Sequence, residues 1–225
     1  MKTKLFSLIL ILTFSGSMAF AQGTGISKTS FAVIGGVNFQ NLNGKDNSGD
    51  KLDNDLLVGF HFGLNAQIPV APEFYFQPGL MFSTKGANNT EGAITSTYKL
   101  SYIELPLNFV YKAQLGTGYF MLGFGPYVAY AVGGKANYEG GDASIESDIE
   151  FKKEVEIGDP LTTVYMKPFD AGANLFFGYE LPSGIFVQLN TQLGLLDIKP
   201  QDNRFPDNES TLKNTGYGLS LGYRL

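Results

Sequence analysis

Two stretches near the end of the chain alternate so strictly that they dictate its architecture. From 185 to 195 the odd positions are Ile185, Val187, Leu189, Thr191, Leu193 and Leu195, and the even ones are Phe186, Gln188, Asn190, Gln192 and Gly194. Tyr217, Leu219, Leu221, Tyr223 and Leu225 likewise share one side, with Gly218, Ser220, Gly222 and Arg224 on the other. Successive side chains of a strand point to opposite faces, so each segment has an oily face and a face of small or uncharged polar groups. Soluble strands usually carry Lys and Glu on the wet side. Glycine, amides and isolated charges are what the crowded inside of a small barrel accepts when its outside meets lipid.

The N-terminus is consistent with export. Lys2 and Lys4 precede an apolar run, Leu5 to Phe14, and Ala19-Phe20-Ala21 matches a small-x-small cleavage site. The expectation is a cleaved leader over 1–21 and one barrel domain over 22–225. That run is too short to span as a helix, which takes about 20 residues. Beyond it no apolar stretch reaches that length, so membrane residence must use strands. The chain has no cysteine, which excludes a disulfide framework, thiolate metal ligands and a lipidated N-terminal Cys. Charged residues make up only 16% of its 225 residues, against a typical ~25%. Net charge is −5, and loss of Lys2 and Lys4 would make it two units more negative, which argues against nucleic acid as a partner.

The alternation predicts eight antiparallel strands near 31–39, 57–68, 74–85, 97–112, 119–132, 168–180, 185–196 and 213–225. Short connections at 70–73, 113–118 and 181–184 interleave with long polar segments at 41–55, 86–96, 133–167 and 197–212. Membrane barrels have short periplasmic turns and long outer loops, so both termini are expected in the periplasm. Pro78, Pro106 and Pro126 fall inside predicted strands, where each forfeits a ladder donor and marks a bulge or a strand end. Phe31, Phe39, Phe74, Tyr98, Tyr111, Tyr119, Tyr130, Phe169, Tyr179, Tyr217 and Tyr223 are candidates for the interfacial aromatic belts.

Several motifs, taken in order, resemble the PorT-like outer-membrane β-barrel family abundant in Bacteroidota. They are Gly35-Gly36-Val37-Asn38-Phe39, Gly59-Phe60-His61-Phe62-Gly63-Leu64, Phe76-Gln77-Pro78-Gly79, Tyr102-Ile103-Glu104-Leu105-Pro106 and Gly123-Phe124-Gly125-Pro126-Tyr127, closing with the strand from Gly216 to Leu225. The chain departs at Gly79, where the family often has an acidic residue, and at Leu225, where it often has Phe. The resemblance implies an outer-membrane barrel of the up-and-down type; it names no ligand.

Alternation points Asn65, Gln67, Gln77, Glu104, Asn108, Asp170, Asn174, Glu180, Gln188, Asn190, Gln192 and Arg224 inward. Eight strands leave room for side chains and little more. A bare charge there is costly, so Glu104 and Asp170 are expected to pair with Arg224, Lys99 or Lys112. The candidate interior network is Glu104, Asp170, Glu180, Arg224 and His61, read either as a hydrogen-bonded plug or as a narrow pathway for ions or water. His61 is the only histidine, and nothing in the sequence ties a nucleophile to it. No catalytic, cofactor or metal site is therefore expected.

The 133–167 segment carries eight carboxylates from Glu139 to Asp159 and alternates partly from Ser144 to Ile157, which suggests a hairpin beyond the membrane. It reads as a solvated acidic surface or as a binding surface for a partner or Ca²⁺, although its spacing fits no calcium loop. The expected function is non-enzymatic: a structural or interaction role through the loops. Expected partners are outer-membrane lipid and lipopolysaccharide, the barrel-assembly machinery during insertion, and a protein at 133–167. Competing readings are a narrow pore, a lipid-modifying barrel enzyme, and a soluble ligand-carrying barrel.

Overall fold

The computed structural model describes residues 28–205 and 210–225; the expected leader at 1–21 lies outside them. Among the described residues there are twelve strands: β1 (Ser30–Lys45), β2 (Leu57–Ala71), β3 (Phe74–Glu91), β4 (Ile94–Leu115), β5 (Gly118–Gly140), β6 (Ala143–Phe151), β7 (Glu154–Val155), β8 (Val164–Met166), β9 (Phe169–Glu180), β10 (Ile185–Gly194), β11 (Gln201–Asp202) and β12 (Thr211–Arg224). Eight of these, β1–β5, β9, β10 and β12, each pair antiparallel with two others of the eight, and the succession returns to its start through β12–β1. The other four lie at one end of the ring and include two parallel pairs, β6–β8 and β7–β11.

Pattern and burial agree face by face. Val187, Leu189, Leu219 and Leu221 are exposed, while Gln188, Ser220 and Arg224 are buried. The same inversion runs around the ring, from Phe60, Phe62 and Leu64 on β2 to Phe109 on β4 and Phe124 on β5. Exposed and half-buried rings contact one another along this outer face, as in Phe62–Phe82 at 5.3 Å and Phe76–Phe109 at 5.5 Å. Water does not stabilise so wide an apolar band, whereas acyl chains do. A soluble carrier with its apolar side chains turned inward is inconsistent with this arrangement.

The strands outrun the membrane pattern. Residues 86–96, expected as a long loop, continue β3 and β4 to a two-residue turn at 92–93. Residues 133–140 continue β5, and the hairpin there pairs Lys135–Gly140 with Ala143–Asp148. Beyond the apolar band the outer face carries polar residues and the inner face is lined by small ones such as Ala87 and Ala136, so the oily alternation that marks a strand disappears although the ladder persists.

Pro78, Pro106 and Pro126 neither bulge nor end their strands. Register is the same on both sides of Pro78 and Pro106, and the shifts fall at Pro69/Ala71 and Ser101/Tyr102. A Cβ on Gly79 would lie 3.1 Å from the Pro106 ring, so a larger side chain has no easy place there.

The lumen is layered, with apolar plugs as well as polar groups. At the turn end, Phe176 and Phe186 pack with Ala32, Val110 and Met121. They occupy the room left by Gly123 and Gly222, whose Cβ atoms would come within 2.2 Å and 2.1 Å of those rings. At the loop end, Leu42, Leu100, Tyr102, Tyr127, Met166 and Ile198 form a second cluster under the extra strands.

Candidate functional site

Three polar groups stack along the lumen; Glu104 and Gln192 of the uppermost also line the middle one, and Phe176 borders it on the turn side. Nearest the loops, Lys85 of β3 is wholly buried between two carboxylates, 2.6 Å from Glu104 Oε2 and 3.2 Å from Asp170 Oδ2. Asp170 Oδ2 also accepts from Tyr127 Oη (3.1 Å) and Asn214 Nδ2 (2.9 Å). Gln192 Nε2 donates to Glu104 Oε1 at 3.1 Å. The Lys85 ammonium lies 4.2 Å from the Tyr127 ring centre and 5.2 Å from that of Tyr102, so aromatic faces replace part of its lost hydration.

This corrects the expected pairing. Lys85, not Arg224, Lys99 or Lys112, neutralises Glu104 and Asp170. Lys99 is exposed on the outer face. Parity carried the missed signal: Lys85 shares its face with Gln77 and Ser83, but the predicted strand stopped at Lys85 itself.

Glu180 holds the turn end. Lys112 Nζ approaches its Oε1 at 2.6 Å, and Arg224 Nε donates to Oε2 at 2.9 Å. The Arg224 guanidinium stands over Phe186, 5.4 Å from the ring centre. Lys112 also reaches Gln67, which donates to Gln77. The two charged clusters thus have opposite imbalance, one cation with two anions above and two cations with one anion below.

Between them lies a chamber of about 100 Å³. Gln40 Oε1, Asn65 Oδ1, Asn108 Oδ1 and Asn190 Oδ1 line it and have no hydrogen-bond partner within the protein. His61 sits in its wall, with Nδ1 2.5 Å from Asn38 Oδ1 and Nε2 2.7 Å from Ser220 Oγ. Both contacts follow from strand pairing. His61 and Ser220 flank Gly36 on either side of β1, and Gly36 has no side chain to keep them apart. No sequence rule tied Asn38 or Ser220 to His61, because the three come from β1, β2 and β12.

A second cavity, about 510 Å³, opens at the loop end. Leu42, Val164, Met166 and Leu212 contribute apolar lining, and Asn47, Asn54, Asn89, Lys45, Tyr98 and Tyr165 contribute polar groups. The segments around it are stapled by Arg204, which clasps Asp202 through Nε (2.9 Å) and Nη2 (2.7 Å) and donates to the Pro160 carbonyl at 2.8 Å. Lys152 pairs with Asp159 at 2.7 Å, and the Lys152 and Arg204 cations both lie against the Tyr165 ring. The Lys152 ammonium and the Glu156 amide hold the Asp159 carboxyl below the usual carboxylate range, and Arg204 does the same for Asp202. Much of the 133–167 segment is therefore built structure.

Comparison with known proteins agrees with this architecture. The family model described as outer membrane protein beta-barrel domain matches residues 20–199, and the chain belongs to that family. Among solved structures it is similar to Ail, the attachment invasion locus protein of Yersinia pestis, at 13% identity, covering 89% of this chain and all of that one with a TM-score of 0.39. A structure of Ail with the heparin analogue sucrose octasulfate matches at 13% identity, 88% and 100% coverage, and a TM-score of 0.40. No curated protein matches the chain.

Proposed function

We propose that the crown of strands and loops at one end of this outer-membrane barrel serves a binding role that itself involves no chemical step. The observation that carries the reading is the 510 Å³ cavity lying on the loop side of the Lys85–Glu104–Asp170 cluster. Its volume falls within the range of small-molecule sites. Amides, tyrosines and lysines over an apolar floor suit a saccharide, which offers hydroxyls on its edges and C–H faces to aromatic rings. Lipopolysaccharide is the surface glycan such a crown would meet. In this reading the leader over 1–21 is removed, 22–225 forms a single domain, and both termini face the periplasm. PorT-like membership is the finer family assignment that the sequence motifs favour.

Calorimetric titration of the refolded protein with lipopolysaccharide core oligosaccharide tests the proposal. Saturable heat that Asn89→Ala or Tyr98→Ala weakens at least tenfold supports it. Absence of heat, or binding indifferent to both substitutions, refutes it. The narrow-pore reading has only the 100 Å³ chamber in its favour, and charged clusters narrow the lumen above and below it; planar bilayers holding the protein are expected to stay electrically silent.

A further inference from the structure

Ser220, His61 and Asn38 form a one-way chain of hydrogen bonds. Asn38 Nδ2 donates to the Thr84 backbone carbonyl at 3.3 Å and to Ser83 Oγ at 3.2 Å. A carbonyl can only accept, so the amide nitrogen is fixed on that side and Oδ1 must face His61. His61 Nδ1 therefore carries the proton and donates to Oδ1 at 2.5 Å. Nε2 is left with its lone pair, which accepts from Ser220 Oγ at 2.7 Å. Nucleophile, base and orienting group stand in the order, tautomer and spacing that activate a serine.

A plug would need only satisfied groups, in any order. Here the direction is set from a ladder carbonyl, and Ser220 borders the chamber together with His61 and Asn38. Gly36 makes the contact possible: a Cβ there would lie 2.8 Å from His61 Cε1 and 2.8 Å from Ser220 Cα. Backbone N–H groups of the wall are committed to the ladder, so stabilisation of an oxyanion falls to side-chain amides. Gln188, directly across from Ser220 on β10, and Asn190 and Asn65 line the same space.

We propose that Ser220 is a reactive nucleophile and that the chamber admits a small carboxylic ester with an acyl group of a few heavy atoms. Oγ forms the bond to the carbonyl carbon while its proton passes to His61 Nε2. The C–O bond to the alcohol then breaks, and the alcohol leaves with that proton. Water attacks the acyl-serine by the same route, giving the carboxylic acid and restoring Ser220. Asn38 is a positioning residue that holds the tautomer. None of this depends on what the crown binds.

Methanesulfonyl fluoride, which has the same few-atom bulk, is the direct probe. Attack by Oγ forms the O–S bond, fluoride leaves and the proton goes to His61. Mass spectrometry of the full-length protein folded in micelles is expected to find one sulfonyl adduct, mapped to Ser220 and absent from Ser220→Ala. His61→Gln should slow labelling about 100-fold, the scale of general-base assistance. Asn38→Leu should slow it too, with Asn38→Asp restoring it, and circular dichroism confirms each variant folded. A folded wild-type protein left unlabelled at Ser220 overturns the proposal, as does labelling at an unchanged rate in folded His61→Gln.

Discussion

The lumen and the crown use the same ion pairs for different ends. Lys85 and Glu104 meet with side chains 0% and 6% exposed; Lys135 and Glu146 also meet, but at 56% and 54%. In the lumen neither partner can fall back on water, so a lost partner strands a charge. At the crown each ion is already hydrated and the pair adds little. Identical chemistry thus sets register in one region and decorates a surface in the other.

That contrast is open to attack by mutation. The largest effect is expected at Lys85: Lys85→Ala leaves Glu104 and Asp170 facing each other unpaired, at a cost of about 3–5 kcal/mol. Urea unfolding in lipid vesicles measures it, and a loss below about 1 kcal/mol would mean the cluster is not structurally needed. Gly36→Ala comes next. Its Cβ would lie 2.1 Å from the Leu219 carbonyl as well as against His61, and overpacking of this kind costs about 1–3 kcal/mol. Arg224→Ala should cost about 1.5–3 kcal/mol or less, since Lys112 remains on Glu180. Lys135→Ala at the crown should leave the unfolding midpoint unchanged. A shift as large as that of Lys85→Ala would erase the distinction between the regions.

Acid supplies a gentler probe of the crown alone. Asp159 and Asp202 are held below the ordinary aspartate value of 3.8, so their contribution is complete above that value. It is lost as pH falls further, through their depressed folded values. Amide exchange in 152–165 should therefore accelerate only below about pH 4, with the ring strands still protected.

What could be read in the sequence follows the same division. Where one face meets lipid and the other a packed lumen, alternation is clean, and β2, β10 and β12 begin within two residues of their expected starts. Beyond the apolar band the outward side chains turn polar and the signal vanishes, so the loop-end tips of β3–β5, residues 86–96 and 133–140, read as loops. The faces of Glu104, Asp170, Glu180 and Arg224 are matters of parity and need no tertiary knowledge. Their partners are another matter. Lys85–Asp170 spans 85 positions and His61–Ser220 spans 159, and only the register around the ring joins them.

Face orientation is the claim on which the account stands. The chain has no cysteine, so Val187→Cys and Gln188→Cys can each carry a single nitroxide in reconstituted bilayers. Collision with dissolved oxygen should be frequent at 187 and rare at 188. High accessibility at 188 with protection at 187 would turn the wall inside out and contradict the assignment.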